Sequence, residues 1–83
     1  MSAAAEEVAR LIKQDGFYAR LDGLVDDIES RLKDSTRKSD LEWEVEDLKN
    51  DLAMLKPKER PKFRSYCAER YPRTAKLMGW RVA

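Results

Sequence analysis

The chain contains no histidine, and its 83 residues include a single cysteine, Cys67. One cysteine excludes a disulfide within the chain, and without histidine a structural zinc site lacks its usual ligands. The most common general base of enzymes is missing for the same reason. No glycine-rich phosphate loop or nucleophile motif is present, and no motif identifies a family. The sequence therefore predicts a protein that is not an enzyme and binds no metal, cofactor or small-molecule substrate.

Long apolar runs are absent as well. No stretch approaches the roughly 18 apolar residues needed to cross a bilayer, and the first residues lack the basic start and apolar core of a secretory signal. Three glycines, three prolines and 40% charged residues make a composition typical of helical proteins. We therefore expect an all-α protein without a membrane partner, located in the reducing cytoplasm.

The most regular pattern lies in residues 41–55. Apolar residues are spaced by four, three, four and three positions, which is typical of one buried stripe on a helix and not of a strand. We number the predicted helix over residues 41–55 as α3, the third in the chain, and call its stripe the α3 seam; it comprises Leu41, Val45, Leu48, Leu52 and Leu55. Ser39 followed by Glu42 predicts a capping box at the start of this helix.

A second helical pattern precedes it, from Phe17 to about Lys33. Because the polar connection between the two helices is short, they are predicted to form an antiparallel, coiled-coil-like hairpin over residues 17–55. Ser2 is expected to cap a short helix in residues 1–16. Gly16 either ends that helix in a left-handed conformation or lies within one continuous helix; we favour a break.

Residues 56–83 form a basic segment that we expect to pack on the hairpin. Pro61 is predicted to open a helix whose aromatic face carries Phe63, Tyr66 and Tyr71. Cys67 lies on that face and is expected to be an ordinary buried side chain. After Pro72 we expect one short helical turn, ended by a left-handed Gly79 with Trp80 folded back on it. The three segments are interpreted as one domain.

Charge is divided unevenly along the chain. Residues 1–55 carry 14 acidic and 8 basic side chains, a net charge of −6, whereas residues 56–83 carry 2 acidic and 9 basic ones, a net charge of +7. Such a chain either folds one half onto the other or presents two different surfaces. The carboxylates of residues 22–29 and 40–47 lack the spacing of a calcium loop, so we interpret them as solvated helix faces.

Trp43 and Met54 lie off the α3 seam, on a second face of the same helix with Asn50 between them. Two interpretations apply to this face. The side chains either hold the C-terminal segment in place, which we favour, or form a surface for a partner or a second copy.

The basic segment and the exposed aromatics are the features with functional content. Cations alternating with aromatic rings are typical of nucleic-acid surfaces, but the same cations can pair with the acidic half of this chain, remain solvated, or dock an acidic protein. A helix-turn-helix interpretation is disfavoured because the preceding helix is acidic. The predicted partner-binding residues are Trp43, Lys58, Arg60, Lys62, Arg64, Arg70, Arg73, Lys76, Trp80 and Arg81.

These observations favour a small interaction module, an adaptor or inhibitor that binds a protein with an acidic surface. DNA or RNA binding through the same basic segment is the alternative. Because a chain of this length builds only a small core and its apolar stripe is broad, we also expect a homodimer.

Overall fold

The computed structural model describes residues 2–80, and every regular element in this range is a helix, which confirms the all-α class. Helix α1 comprises Ala3–Gln14 and α2 Gly16–Lys33; a 3-10 helix, Lys38–Leu41, leads into α3, Glu42–Ala53; α4 comprises Glu59–Arg70 and α5 Pro72–Leu77. None of these helices is both long and apolar enough to span a membrane.

A single residue, Asp15, separates α1 from α2. It is the C-cap residue of α1 and the N-cap residue of α2, and its side chain accepts a hydrogen bond from the amide of Phe17 at 2.9 Å. The predicted break is therefore confirmed. The predicted left-handed Gly16 is wrong, because Gly16 is the first residue of α2 and Asp15 makes the turn in an extended conformation. At the start of α1, Ser2 accepts from the amide of Ala5 as predicted.

Backbone hydrogen bonds stabilise the loop that connects α2 to α3. Ser35 adopts a left-handed φ of 68°, and the amides of Ser35 and Thr36 donate to carbonyls of the last turn of α2. The predicted capping box is wrong. The 3-10 helix occupies the position where the cap was expected, and neither it nor α3 has a side-chain cap.

Helix α1 packs against α2 and α4, α5 packs against α2 and α4, and α3 packs against α2. The finer prediction of an antiparallel, coiled-coil-like hairpin in residues 17–55 stays a prediction. Helix α4 begins at Glu59, two residues before Pro61, which therefore lies in the first turn, where its missing amide proton breaks no helical bond.

The α3 seam faces the core. Leu41 and Leu48 are completely buried, Leu52 and Leu55 nearly so, and Val45 is partly buried. The favoured role for the second face of α3 is wrong, since Trp43 is 83% exposed and Met54 is 74% exposed and neither holds the C-terminal segment. The sequence pattern separates the two faces but does not indicate which neighbour covers each of them.

Candidate interaction site

Trp80 is placed by a helix-ending turn. Gly79 has a φ of 76°, a left-handed conformation that glycine adopts without a steric penalty. The amide of Trp80 then donates to the carbonyl of Ala75 at 2.9 Å, and that of Gly79 to Lys76 at 3.1 Å. This turn, which the sequence predicted, directs Trp80 back against the core, where its side chain is partly buried.

Two hollows meet at Arg64 and Trp80, and we call the pair the Trp80 groove. The smaller hollow has a volume of about 290 Å³ and lies between α3 and α4; it is lined by Lys49, Leu52, Ala53, Arg60, Arg64, Met78 and Trp80. The larger has a volume of about 510 Å³ and is lined by Ser2, Pro61, Arg64, Ser65, Ala68, Glu69, Gly79 and Trp80.

The cations of the groove differ in how firmly they are held. The guanidinium of Arg60 donates to the carbonyl of Ala53 at 2.8 Å and to that of Leu52 at 3.3 Å, so it caps the end of α3. Neither Lys49 nor Arg64 makes a side-chain hydrogen bond or ion pair within residues 2–80, and both are exposed. The groove acid, Glu69, accepts from the backbone amide of Ser2. Three cations, Lys49, Arg60 and Arg64, against this one acid give the groove a net positive charge.

Two other predicted cations are paired within the molecule. Lys62 lies 3.1 Å from a carboxylate oxygen of Glu7, and Arg73 lies 3.6 Å from Glu29. The hydrogen bond to Glu7 raises the pKa of the Lys62 ammonium. Lys62 and Arg73 thus form ion pairs with the acidic half of the same chain, which is one of the alternatives that the sequence left open.

The remaining predicted residues are distributed over the surface. Arg70 lies over the ring of Tyr71, 5.7 Å from its centroid. Lys58 and Lys76 are exposed and make no ion pair in the part of the chain that the structure describes. Trp43 lines neither hollow of the groove. Arg81 lies outside the described residues.

The aromatic rings of the basic segment belong to the core. Phe63 is completely buried, and its ring contacts Tyr18 on one side and Tyr66 on the other, with centroids 6.4 and 6.0 Å apart. Tyr66 in turn contacts Tyr71 at 5.9 Å. The rings of α4 are therefore not available to stack on bases, and Trp80 remains as the aromatic side chain of the groove.

Two carboxylates that the sequence assigned to a solvated face have structural partners instead. Asp22 accepts hydrogen bonds from the hydroxyls of both Tyr66 and Tyr71, each at 2.8 Å. Glu29 accepts from the backbone amide and the hydroxyl of Thr74, at 2.7 and 2.8 Å, and so caps the start of α5. No local pattern indicates these contacts, since each joins residues more than 40 positions apart.

All three tyrosines are expected to make the fold sensitive to alkaline pH. Burial raises the pKa values of Tyr18, Tyr66 and Tyr71, and hydrogen bonds to Glu59 or Asp22 raise them further. The unfolded chain releases these protons near pH 10, whereas the folded chain keeps them to higher pH. The stability that the three tyrosines contribute is therefore complete below about pH 10, and above it each of them lowers the free energy of unfolding by at most about 1.4 kcal/mol per pH unit.

Urea denaturation between about pH 9 and pH 11 measures this loss, with tyrosinate absorbance followed in parallel. We expect the tyrosines to ionise together with the loss of helical circular dichroism. Tyr66→Phe serves as the control, because it removes one of the titrating groups and makes the decline shallower. Tyrosine ionisation near pH 10 in a chain that keeps its helices would contradict the prediction.

Cys67 is completely buried, as predicted, and burial raises the pKa of its thiol, which disfavours the reactive thiolate. Across residues 2–80, no group of three or more cysteine, aspartate and glutamate side chains is arranged to hold a metal ion.

The Trp80 groove has the features of a binding surface: positive charge, a partly exposed indole and apolar walls. No protein-family model, curated protein or solved structure matches the chain.

Proposed function

We propose that the protein is a non-catalytic interaction module that binds an acidic segment of another protein in the Trp80 groove. The observation that carries this proposal is the meeting of Arg64 and Trp80 at the junction of the two hollows. Arginine and tryptophan are the residue types most often found as energetic anchors of protein interfaces. In this role the protein is an adaptor or inhibitor.

The two side chains suit different parts of such a partner. Arg64 makes no ion pair within residues 2–80. Its guanidinium is therefore available to bind a carboxylate of the partner through two parallel hydrogen bonds. Trp80 and Met78 offer apolar surface beside it. Arg60, already fixed by the carbonyls of α3, and Lys49 add positive charge that attracts an acidic chain.

Nucleic-acid binding is the second candidate. The exposed cations Lys56, Lys58 and Lys76 support it, since none of them has an ion-pair partner among the described residues. The burial of Phe63 and Tyr66 speaks against a surface that stacks on single-stranded bases. We therefore place the protein partner first.

We also propose that the protein works in the cytoplasm. We further propose that α2 and α3 form an antiparallel, coiled-coil-like hairpin that supports one wall of the groove. The supporting observation is the order of the ion pairs between the two helices. The guanidinium of Arg20 lies 3.2 Å from the carboxylate of Asp51. Arg31, later in α2, pairs with Glu44, which is earlier in α3. This order supports a pairing of the two helices in opposite directions.

The test is a selection of displayed random peptides rich in Asp and Glu on the wild-type protein alone, after which the affinity of each selected peptide is measured for the wild type and for Arg64→Glu. Peptides that survive are expected to bind Arg64→Glu at least about tenfold more weakly, because loss of an interface arginine costs about 1.4 kcal/mol or more. The matched control is Lys38→Glu, which changes the net charge equally at an exposed residue outside the groove; it should change the affinity less than about twofold.

Peptides that bind both charge variants alike would overturn the assignment of the groove. The nucleic-acid candidate is tested with labelled duplex and single-stranded DNA of random sequence at about 50 and 200 mM salt. Micromolar binding that falls steeply with salt, together with weaker binding by Lys58→Ala, would put nucleic acid in first place. Absence of binding at the lower salt concentration would remove that candidate.

A further inference from the structure

The outer face of α3 carries a second regular row of side chains. Trp43, Asp47, Asn50 and Met54 are spaced by four, three and four residues, so they lie along one side of the helix, away from the α3 seam. All four are exposed, and Trp43 and Met54 are the two large apolar side chains that residues 2–80 leave in solvent. We call this row the α3 outer face.

The spacing of the four residues is symmetric about the middle of the row, so it matches itself when two such helices run antiparallel. A two-fold axis passing between residues 48 and 49 would place Trp43 opposite Met54 of a second copy and Asp47 opposite its Asn50. Each side chain then meets its counterpart across a seam with coiled-coil spacing. We infer that the α3 outer face binds the same face of a second copy of this chain, in an antiparallel two-fold dimer.

The chemistry of the facing residues is complementary. A methionine thioether makes favourable contacts with an aromatic ring, and this contact occurs twice, once at each end of the face. Between the two ends, the amide of Asn50 can donate a hydrogen bond to the carboxylate of Asp47 in the other copy. A polar pair inside a helical seam fixes the register, because any shift along the helix leaves these groups without partners.

Charge favours the antiparallel direction over the parallel one. The first half of α3 is acidic, with Glu42 and Glu46 exposed beside Asp47, whereas the loop after α3 carries the exposed Lys56 and Lys58. Antiparallel copies bring the acidic end of each helix close to the basic loop of the other. A parallel pair would instead place Glu46 and Asp47 against the same two residues, so their repulsion disfavours it.

This surface differs from the Trp80 groove and does not rest on the function proposed for it. None of the four residues of the α3 outer face lines either hollow of the groove. A dimer formed through α3 therefore leaves both grooves open. The protein would present two copies of its binding site, related by the two-fold axis of the α3 pair.

Sedimentation equilibrium of the full chain tests the proposal between about 1 μM and 1 mM, the range of dissociation constants expected for a short helical interface. We expect a reversible monomer–dimer equilibrium whose dissociation constant rises at least about tenfold in Trp43→Ala and in Met54→Ala. Both residues are exposed, so circular dichroism should show an unchanged fold. Trp80→Phe is the matched control and should dimerise like the wild type. A wild-type chain that stays monomeric throughout this range would overturn the proposal.

The direction of the pair is tested by cross-linking. Asp47→Cys and Asn50→Cys proteins, mixed and briefly oxidised, should form the mixed disulfide faster than either protein links to itself, because residue 47 faces residue 50 of the other copy. Cys67 can stay in both proteins because it is buried. Faster linkage of Asp47→Cys to itself would indicate a parallel pair and overturn the antiparallel assignment.

Discussion

Phe63→Ala is expected to lower the free energy of unfolding by about 3–5 kcal/mol, the usual cost of removing a buried phenylalanine ring. Phe63 is completely buried between Tyr18 and Tyr66, so its removal takes away the ring that joins α2 to α4. A domain of this size has a total stability of about 4–12 kcal/mol, so the variant should lose a large part of it. Urea denaturation followed by far-ultraviolet circular dichroism measures the change.

Arg64→Ala is the matched control for this experiment. It changes the next residue of the same helix, but Arg64 is exposed and makes no hydrogen bond or ion pair in the described part of the chain. Its effect on stability should stay within about 0.5 kcal/mol. If Phe63→Ala cost less than about 1 kcal/mol, the ring would not have the central position described above.

Asp22→Ala is expected to cost about 2–4 kcal/mol, the second largest effect. Its carboxylate accepts hydrogen bonds from the buried Tyr66 and Tyr71, and its removal leaves both hydroxyls without their acceptor. Asp22→Asn should cost less, because the amide oxygen can still accept a hydrogen bond although the charge is lost. The same denaturation experiment gives both values.

The control for the carboxylate is Asp26→Ala, one turn further along α2, where the side chain is exposed. It should change the stability by less than about 0.5 kcal/mol. The cost of Asp22→Ala should also shrink when Tyr66→Phe is added, since one of the two stranded hydroxyls is then absent. Equal effects of Asp22→Ala and Asp26→Ala would show that the tyrosine hydrogen bonds contribute nothing measurable.

The helices and their inward faces were predictable because they depend on local rules. The spacing of Leu41 and Leu48 defined the buried stripe of α3, and Gly79 indicated the left-handed turn that places Trp80. The break near Gly16 was also predicted, although Asp15 makes the turn itself. In each case the signal lies within a few residues of the feature that it predicts.

The parts that were not predictable depend on which helices become neighbours. Asp22 occupies a polar position of α2, and its role became clear when α4 and the start of α5 were seen beside it. The favoured role of Trp43, holding the C-terminal segment, was wrong for the same reason, because periodicity separates the faces of a helix without naming their neighbours. Of the predicted partner-binding residues, Arg60, Arg64 and Trp80 come together in the groove, whereas Lys62 and Arg73 are paired elsewhere.

The packing of α1 against α4 has a consequence for synthesis. Contacts such as Lys62 with Glu7 and Ser2 with Glu69 join residues more than 50 positions apart. While the ribosome is still adding residues before α4, the inward side of α1, including Val8, has no permanent partner on that flank. Native structure can therefore be completed only after α4 has emerged, and until then the nascent chain exposes apolar surface that chaperones recognise.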